Sequence, residues 1–318
     1  MEQPSPSLEK INYTKVVQIC LGIVQLLSDG TVKRAPAALV LPDPDGAPLP
    51  SADAPGTVRW KDVVYDETHN LSLRMFVPPA GAGKVPVLPN FHAACLRLAA
   101  SLPAVVLSAD YRLAPEHRLP TAFDDAGSVF SWLRAQAAAA TDPWLASSAD
   151  LGRVFVSGDS AGANIAHHAA ARAGPSGGGH LALAGCVLLW PYFGGERRTA
   201  SEAACPADVF LTLPLYDQMW RLALPPGATR DHPAGNPFGP DSPALGAADL
   251  PPLLVAAGDG DMLIDRIRDY RAELVEFAGD GHGFAIFEPD TEAAGELVRV
   301  LRRFVHGGGA GEPDASLA

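Results

Sequence analysis

Ser160 stands at the centre of Gly158-Asp159-Ser160-Ala161-Gly162, a G-x-S-x-G pentad. Glycines two residues before and two after a serine let a strand and a helix approach closely while the serine holds a strained turn between them. The flanking residues fit that setting. Arg153-Val154-Phe155-Val156-Ser157 reads as a buried strand, and Ala163-Asn164-Ile165-Ala166 opens a helix of small residues. A serine hydroxyl at a helix N-terminus lies where the dipole favours developing negative charge, and the Ala161 N–H would be a donor to an oxyanion there. An ordinary capping serine can also occupy such a turn, so the chemistry depends on partners. A nucleophilic serine needs a base, and the base an acid to orient it, in the chain order serine, acid, histidine for this kind of turn. Four histidines follow the helix: His180, His232, His282 and His306. His282 alone follows a strand directly, in the glycine-rich frame Gly279-Asp280-Gly281-His282-Gly283-Phe284. For the acid, the strand Leu253–Ala257 runs into Gly258-Asp259-Gly260-Asp261-Met262-Leu263-Ile264-Asp265. Spacing separates Asp259 from Asp261 poorly, while Asp265 reads as a charge at a helix N-terminus.

Those residues require a sheet to carry them. Val58–Tyr65 and Leu71–Val77 read as paired strands joined through Glu67-Thr68-His69-Asn70. Strands then alternate with helices. Val85–Leu88, Val105–Ser108, Arg153–Ser157, Ala182–Leu189, Leu253–Ala257 and Leu274–Phe277 read as strands. Phe91–Leu102 (with Asn90 as N-cap), Pro120–Ala140, Ala161–Ala173 and Glu292–Val305 read as helices. Alternation of this kind predicts an α/β fold, a mostly parallel sheet covered by helices on both faces. Residues 12–28 have helical periodicity and predict an N-terminal helical cover. The expected organisation is a cover segment and loop over 1–57, the α/β domain over 58–305, and a disordered Gly-rich tail over 306–318. Residues 191–250 are Pro-rich and read as loops and short helices above the carboxyl edge of the sheet.

The chain has 318 residues, 47% hydrophobic and 19% charged, with 24 Lys+Arg against 36 Asp+Glu and a formal net charge of −12. That field repels nucleic acid, and no basic cluster offsets it. A small neutral or apolar molecule is the expected ligand. Cys20, Cys95, Cys186 and Cys205 are widely spaced with no CxxC pair, so no metal, cofactor or disulfide framework is expected and a reducing compartment fits. The apolar stretch Val16–Leu27 is broken by Gln18, Gly22 and Gln25 without a small-residue cleavage site, and no run reaches the ~20 apolar residues of a membrane span. The expected location is the cytoplasm, with the nucleus as a second compartment.

The residues now assembled resemble the plant carboxylesterases of the hormone-sensitive-lipase class, which are α/β-hydrolases and include the gibberellin receptors. The resemblance runs over most of the chain. It is carried by Asp110-Tyr111-Arg112-Leu113-Ala114-Pro115-Glu116, by the serine pentad, and by Arg230-Asp231-His232 through Asn236-Pro237-Phe238-Gly239-Pro240. The last stretch is similar to the subgroup associated with strigolactone hydrolysis. The resemblance implies hydrolysis of small carboxylic esters, with Ser160 as nucleophile, Asp261 as acid and His282 as base. It also implies a structural network of Asp110, Arg112 and Glu116 beneath the site. The receptors of this ancestry lack the base, which this chain has.

Two departures stand out. The family carries a His-Gly-Gly-Gly run after the strand matching Val85–Leu88, and its N–H groups form most of the oxyanion hole. Here Pro89-Asn90 leads straight on to Phe91, which leaves Ala161 as one donor and the N–H groups of Asn90, Phe91 and His92, at an expected helix start, as candidates. His282 also lies only 21 positions after Asp261, and the 16 residues between Ala257 and Leu274 just accommodate a crossover helix. The expectation is a weakened Ser-His-Asp carboxylesterase. The alternatives are an impaired relative that binds a small hydrophobic ligand as a receptor would, or a truncated splice or gene-model form.

Overall fold

The computed structural model describes residues 15–21, 23–35, 57–79, 83–91, 95–173, 181, 183–245, 250–270 and 273–307. The chain divides into two compact units, Met1–Pro42 and Asp43–Ala318.

In the first unit the expected helix over 12–28 is overturned within the described residues. Strands β1 (Val16–Cys20), β2 (Val24–Leu27) and β3 (Val32–Arg34) form an antiparallel meander in sequence order. Val16, Val17, Ile19 and Val24 are β-branched and favour extended backbone. Two turns then close the hairpins. Leu21 adopts φ 50° in the first; in the second, Gly30 adopts φ 86° and the Asp29 carboxylate accepts the Thr31 N–H at 2.9 Å. A short apolar run fits either period, and these turns decide for the strand.

The second unit is built on an eight-stranded sheet. Its strands are β4 (Arg59–Asp66), β5 (Leu71–Val77), β6 (Val85–Phe91), β7 (Val105–Ala109), β8 (Ala149–Asp159), β9 (Leu183–Leu189), β10 (Leu253–Gly258) and β11 (Glu273–Phe277). Their spatial order is β11-β10-β9-β8-β6-β7-β5-β4. The hairpin β4–β5 and the β5–β7 pair are antiparallel, and the other five pairings are parallel. Helices α1 (Cys95–Ser101) and α9 (Glu292–His306) share one apolar cluster with Phe155, Val187, Leu254 and Ala256 of the sheet. Helices α2 (Thr121–Ala139) and α4 (Ala161–Ala173) bury residues outside that cluster, against alternate strand side chains on the opposite face. Short helices α3 (Pro143–Ser148), α5 (Ala200–Ala203), α6 (Leu213–Ala223), α7 (Ile264–Asp269) and α8 (Phe284–Phe287) fill the connections.

The expected end of the third of these strands at Leu88, and a helix from Phe91, are corrected. Strand β6 runs on through Pro89 and Asn90 to Phe91, and the helix begins at Cys95. All seven residues of β6 are buried between β7 and β8, so pairing on both sides outweighs the local break that Pro89 signals. Asn90 lies within the strand, and its side chain turns inward, accepting the Ser157 hydroxyl at 2.7 Å and donating to Cys95 Sγ at 3.2 Å. Of the expected structural network, Arg112 finds its partner in Asp125 on α2. Its backbone N–H, Nε and Nη2 all donate to that buried carboxylate, at 2.6–3.1 Å. The crossover between β10 and β11 is as cramped as the residue count requires, with a helix of six residues. Of the expected tail over 306–318, His306 is still the last residue of α9, and residues 308–318 lie outside the described residues.

Helix α4 carries two histidines that its burial keeps neutral. Burial pushes His167 down to about 4 from the ordinary 6.5, and burial, with His167 beside it, pushes His168 to about 3. The unfolded chain takes up a proton at each below about 6.5 while the folded chain does not, so acid favours unfolding. Stability is therefore expected to be full above that pH and to fall on acidification towards pH 4, by up to about 1.4 kcal/mol per pH unit for each histidine. Urea unfolding at pH 7 and 5 should show a shallower loss for the His167→Gln/His168→Gln protein than for the wild type; equal slopes would assign the acid sensitivity elsewhere.

Candidate active site

Strand β8 ends at Asp159 and helix α4 begins at Ala161, leaving Ser160 alone between them at φ 52°. A non-glycine residue holds that left-handed conformation only when its surroundings enforce it. The enforcement is visible. A side chain at Gly158 would put Cβ 2.2 Å from the Gly162 carbonyl oxygen, so the strand and helix approach closely because position 158 has none. The Ser160 N–H donates to Leu189 O at 2.9 Å, and its carbonyl accepts the Tyr192 N–H at 3.1 Å. The elbow is thus tied to the end of neighbouring β9.

The base arrives from the far side of β10. Its loop is pressed against the end of that strand, where a Cβ at Gly258 would sit 2.0 Å from Asp280 O and the Gly260 N–H donates to the same oxygen at 2.9 Å. His282 Nε2 lies 2.9 Å from Ser160 Oγ, and Nδ1 lies 2.7 Å from Asp261 Oδ2. A carboxylate only accepts, so it holds the ring proton on Nδ1 and leaves Nε2 to take the serine hydroxyl hydrogen bond. Asp261 is 1% exposed, and its other oxygen accepts the Leu263 N–H at 2.9 Å. Of the aspartates that spacing left open, Asp261 is the one that meets His282. Asp259 is exposed and accepts the Gly279 N–H at 2.7 Å, which closes the histidine loop from outside. Asp265 sits in the first turn of α7 and accepts the Ser201 N–H at 2.8 Å.

The structure therefore brings Ser160, His282 and Asp261 into one hydrogen-bonded chain, an arrangement able to activate a hydroxyl for attack on an electrophilic carbon. Ala161 is the first residue of α4, where helical N–H groups have no intrahelical partner. Of the other donor candidates, Asn90 and Phe91 lie in β6 opposite Ser157 and Gly158, not at a helix start, and His92 lies outside the described residues. Sequence reasoning passed over Tyr192. Its N–H braces the elbow, and its ring stands edge-on to the His282 ring at 6.5 Å. Its one sequence signal is its place just beyond a strand. Among the described residues no group of three or more His, Cys, Asp or Glu is placed to hold a metal ion, and no helix is long and apolar enough to cross a membrane.

A family model described as the alpha/beta hydrolase fold matches residues 81–285. The chain belongs to the α/β-hydrolase family. Within it, this chain is 34% identical over 298 residues to probable carboxylesterase 9 of Arabidopsis thaliana, covering 84% of this chain and 90% of that one. It is 38% identical over 206 residues to the gibberellin receptor of Oryza sativa subsp. japonica, covering 64% and 55%. These relatives put the hydrolase with the plant carboxylesterases of the hormone-sensitive-lipase-like class. Among solved structures, the carboxylesterase EstE1 from a metagenomic library superposes with a TM-score of 0.67 at 27% identity, covering 82% of this chain and 92% of that one.

The close approach at the elbow generates a test. Gly158→Ala should abolish labelling of Ser160 by a fluorophosphonate probe, read by mass spectrometry of the tryptic peptide. The same substitution at Gly127, where a Cβ meets nothing within 4 Å, should leave labelling intact. Retained labelling of the Gly158→Ala protein would mean that the elbow tolerates the separation.

Proposed function

We propose that this protein hydrolyses small carboxylic esters through an acyl-enzyme at Ser160, with reduced turnover. The observation that carries the reading is the continuous hydrogen-bonded chain from Ser160 Oγ through His282 to the buried Asp261 carboxylate. In the first half-reaction His282 Nε2 takes the hydroxyl proton as Oγ attacks the ester carbonyl, and Asp261 stabilises the imidazolium that forms. His282 then gives the proton to the departing alcohol oxygen. Water repeats the sequence on the acyl-enzyme and releases the acid. No cofactor enters these steps. The Tyr192 ring beside His282 and the apolar rings behind it favour a neutral substrate.

The reduction follows from the oxyanion. The tetrahedral intermediate carries its charge on the former carbonyl oxygen, and the Ala161 N–H is the donor that the helix start supplies. One lost donor costs about 3–4 kcal/mol, or about 10²–10³ in rate. The N–H groups of Asn90 and Phe91 belong to strand positions rather than to a helix start. The second reading, a relative that binds a small hydrophobic ligand without turning it over, is favoured by that shortage and by the likeness to a gibberellin receptor.

Hydrolysis of p-nitrophenyl acetate separates the two readings: turnover by the wild type and none by Ser160→Ala supports the esterase, and no turnover by either, with thermal stabilisation by a non-hydrolysable ester analogue, supports the binder. Asp261→Asn should lower kcat by about 10⁴-fold, because an amide favours the wrong imidazole tautomer. Asp259→Asn should stay near wild type, since the amide oxygen can still accept the Gly279 N–H. The reverse order would reassign the acid. Inserting a His-Gly-Gly-Gly loop with its flanking residues directly after Phe91, where β6 ends, should raise kcat by at least about 10²; no gain would locate the deficit elsewhere.

A further inference from the structure

The guanidinium of Arg266 is buried, and its hydrogen bonds converge on a single loop. Nε donates to Glu202 Oε1 at 2.5 Å and Nη2 to Glu202 Oε2 at 3.0 Å. Nη1 donates to the Gly194 carbonyl at 3.0 Å, and Nη2 also to those of Gly195 and Arg197 at 3.3 and 2.8 Å. Glu202 is 1% exposed and Arg266 7%. The fit leaves no spare room, because a Cβ at Gly195 would lie 2.0 Å from Nη1.

The two ends of this clamp belong to the two sides of the candidate site. Arg266 lies on α7, five residues after Asp261. That helix has six residues, too few to hold its place by helical hydrogen bonding alone. Gly194 and Gly195 follow Tyr192, whose N–H braces the Ser160 carbonyl. A second tie runs alongside: Ser201 Oγ donates to the Met262 carbonyl at 2.8 Å, and the Ser201 N–H to Asp265 Oδ2 at 2.8 Å. Glu202 is itself held in place, exchanging hydrogen bonds with Thr199 in a capping box on α5. A buried ion pair is by itself weak evidence for stability; what this one does is join α7 to the segment 194–202. None of the Ser-His-Asp chemistry uses either charge.

We propose that Arg266, with Glu202, is a positioning residue that sets the Asp261 carboxylate against His282 by clamping the acid's short helix to the segment bracing the nucleophile. The proposal rests on the acyl-enzyme reading for its kinetic consequence, but its structural content, the Asp261–His282 hydrogen bond, can be read without turnover. A shift of about 1 Å in a catalytic group can cost about 10²-fold in rate, and an acid displaced from the base alters the transition state more than substrate binding.

The test is the Arg266→Met/Glu202→Leu protein, which removes both charges and leaves neither buried alone. Proton NMR of the full chain should show a downfield resonance from the His282 Nδ1–H in the wild type, assigned by its absence in Asp261→Asn. In the double variant that resonance should broaden or vanish while circular dichroism remains close to wild type, with some loss of thermal stability because the Gly194, Gly195 and Arg197 carbonyls lose a donor. On p-nitrophenyl acetate, kcat should fall by about 10²-fold with KM held within about 3-fold. Arg266→Lys keeps the charge without the bidentate grip and should show the same signature in weaker form; it is the decisive variant if the doubly apolar protein does not fold. An unchanged resonance and kcat in either folded variant would overturn the proposal, as would a loss of thermal stability with the resonance intact. A wild type that turns over no ester would defeat the acyl-enzyme reading instead, and the NMR comparison would still decide the clamp.

Discussion

Ser160 occupies a backbone conformation that its own chemistry disfavours, and much of the surrounding architecture serves to keep it there. The φ of 52° is held from three directions. The missing side chain at Gly158 lets β8 and α4 converge, Leu189 O fixes the amide, and the Tyr192 N–H fixes the carbonyl. Each constraint comes from a different stretch of chain, so the turn is stable only once β8, β9 and α4 have assembled. Strain of this kind costs of the order of 1–3 kcal/mol and survives where neighbours over-determine it. Its product is a hydroxyl standing clear of the sheet within reach of His282.

Sheet order explains why the serine stands where it does. The chain adds β7 on one side of β6 and β8 on the other. A reversal of strand order of this kind marks, at the carboxyl ends of the strands, the place where α/β sheets bind ligands. Asn90 and Phe91 lie opposite Ser157 and Gly158, so the end of β6 stands beside the end of the strand that carries the elbow. A glycine-rich loop there would present N–H groups to an oxyanion. This chain has three residues between β6 and α1, and the proposal of reduced turnover rests on that short connection.

Around this centre several buried polar groups are satisfied in pairs. Asp125 takes the Arg112 guanidinium and backbone amide, Glu202 takes Arg266, and Asn90 takes the Ser157 hydroxyl. A buried charge with no partner costs several kcal/mol, so each pair also fixes the elements that carry its members. The acid side has particular need of this. Helix α7 is short, the crossover to β11 is minimal, and Asp261 must nevertheless meet His282 at 2.7 Å.

How much was legible before folding depended on how local each signal was. The α/β alternation, the hairpin of β4 and β5, the elbow and its helix, and the amphipathic α9 could all be read because strand and helix periods and a glycine-flanked serine are properties of neighbouring residues. Ser160 and His282 were identifiable for the same reason, each framed by glycines at a strand end. The acid was narrowed only to Asp259 or Asp261 by spacing, since both follow the same strand; which of them turns inward depends on how Gly258 and Gly260 meet the Asp280 carbonyl. Asp125, Tyr192 and Arg266 gave no local sign, because their partners lie 13 to 72 positions away. The two misread segments fail in the same way. Residues 15–35 pair as strands because turns at Leu21 and Gly30 bring them together, and Pro89–Phe91 extend β6 because strands wait on both sides. Sequence by itself determined the fold class and the candidate chemistry, which are written in short-range pattern. Tertiary structure alone decided which aspartate, which braces and where the strands end, because hydrogen bonding and burial between distant segments exist only after the sheet has closed around them.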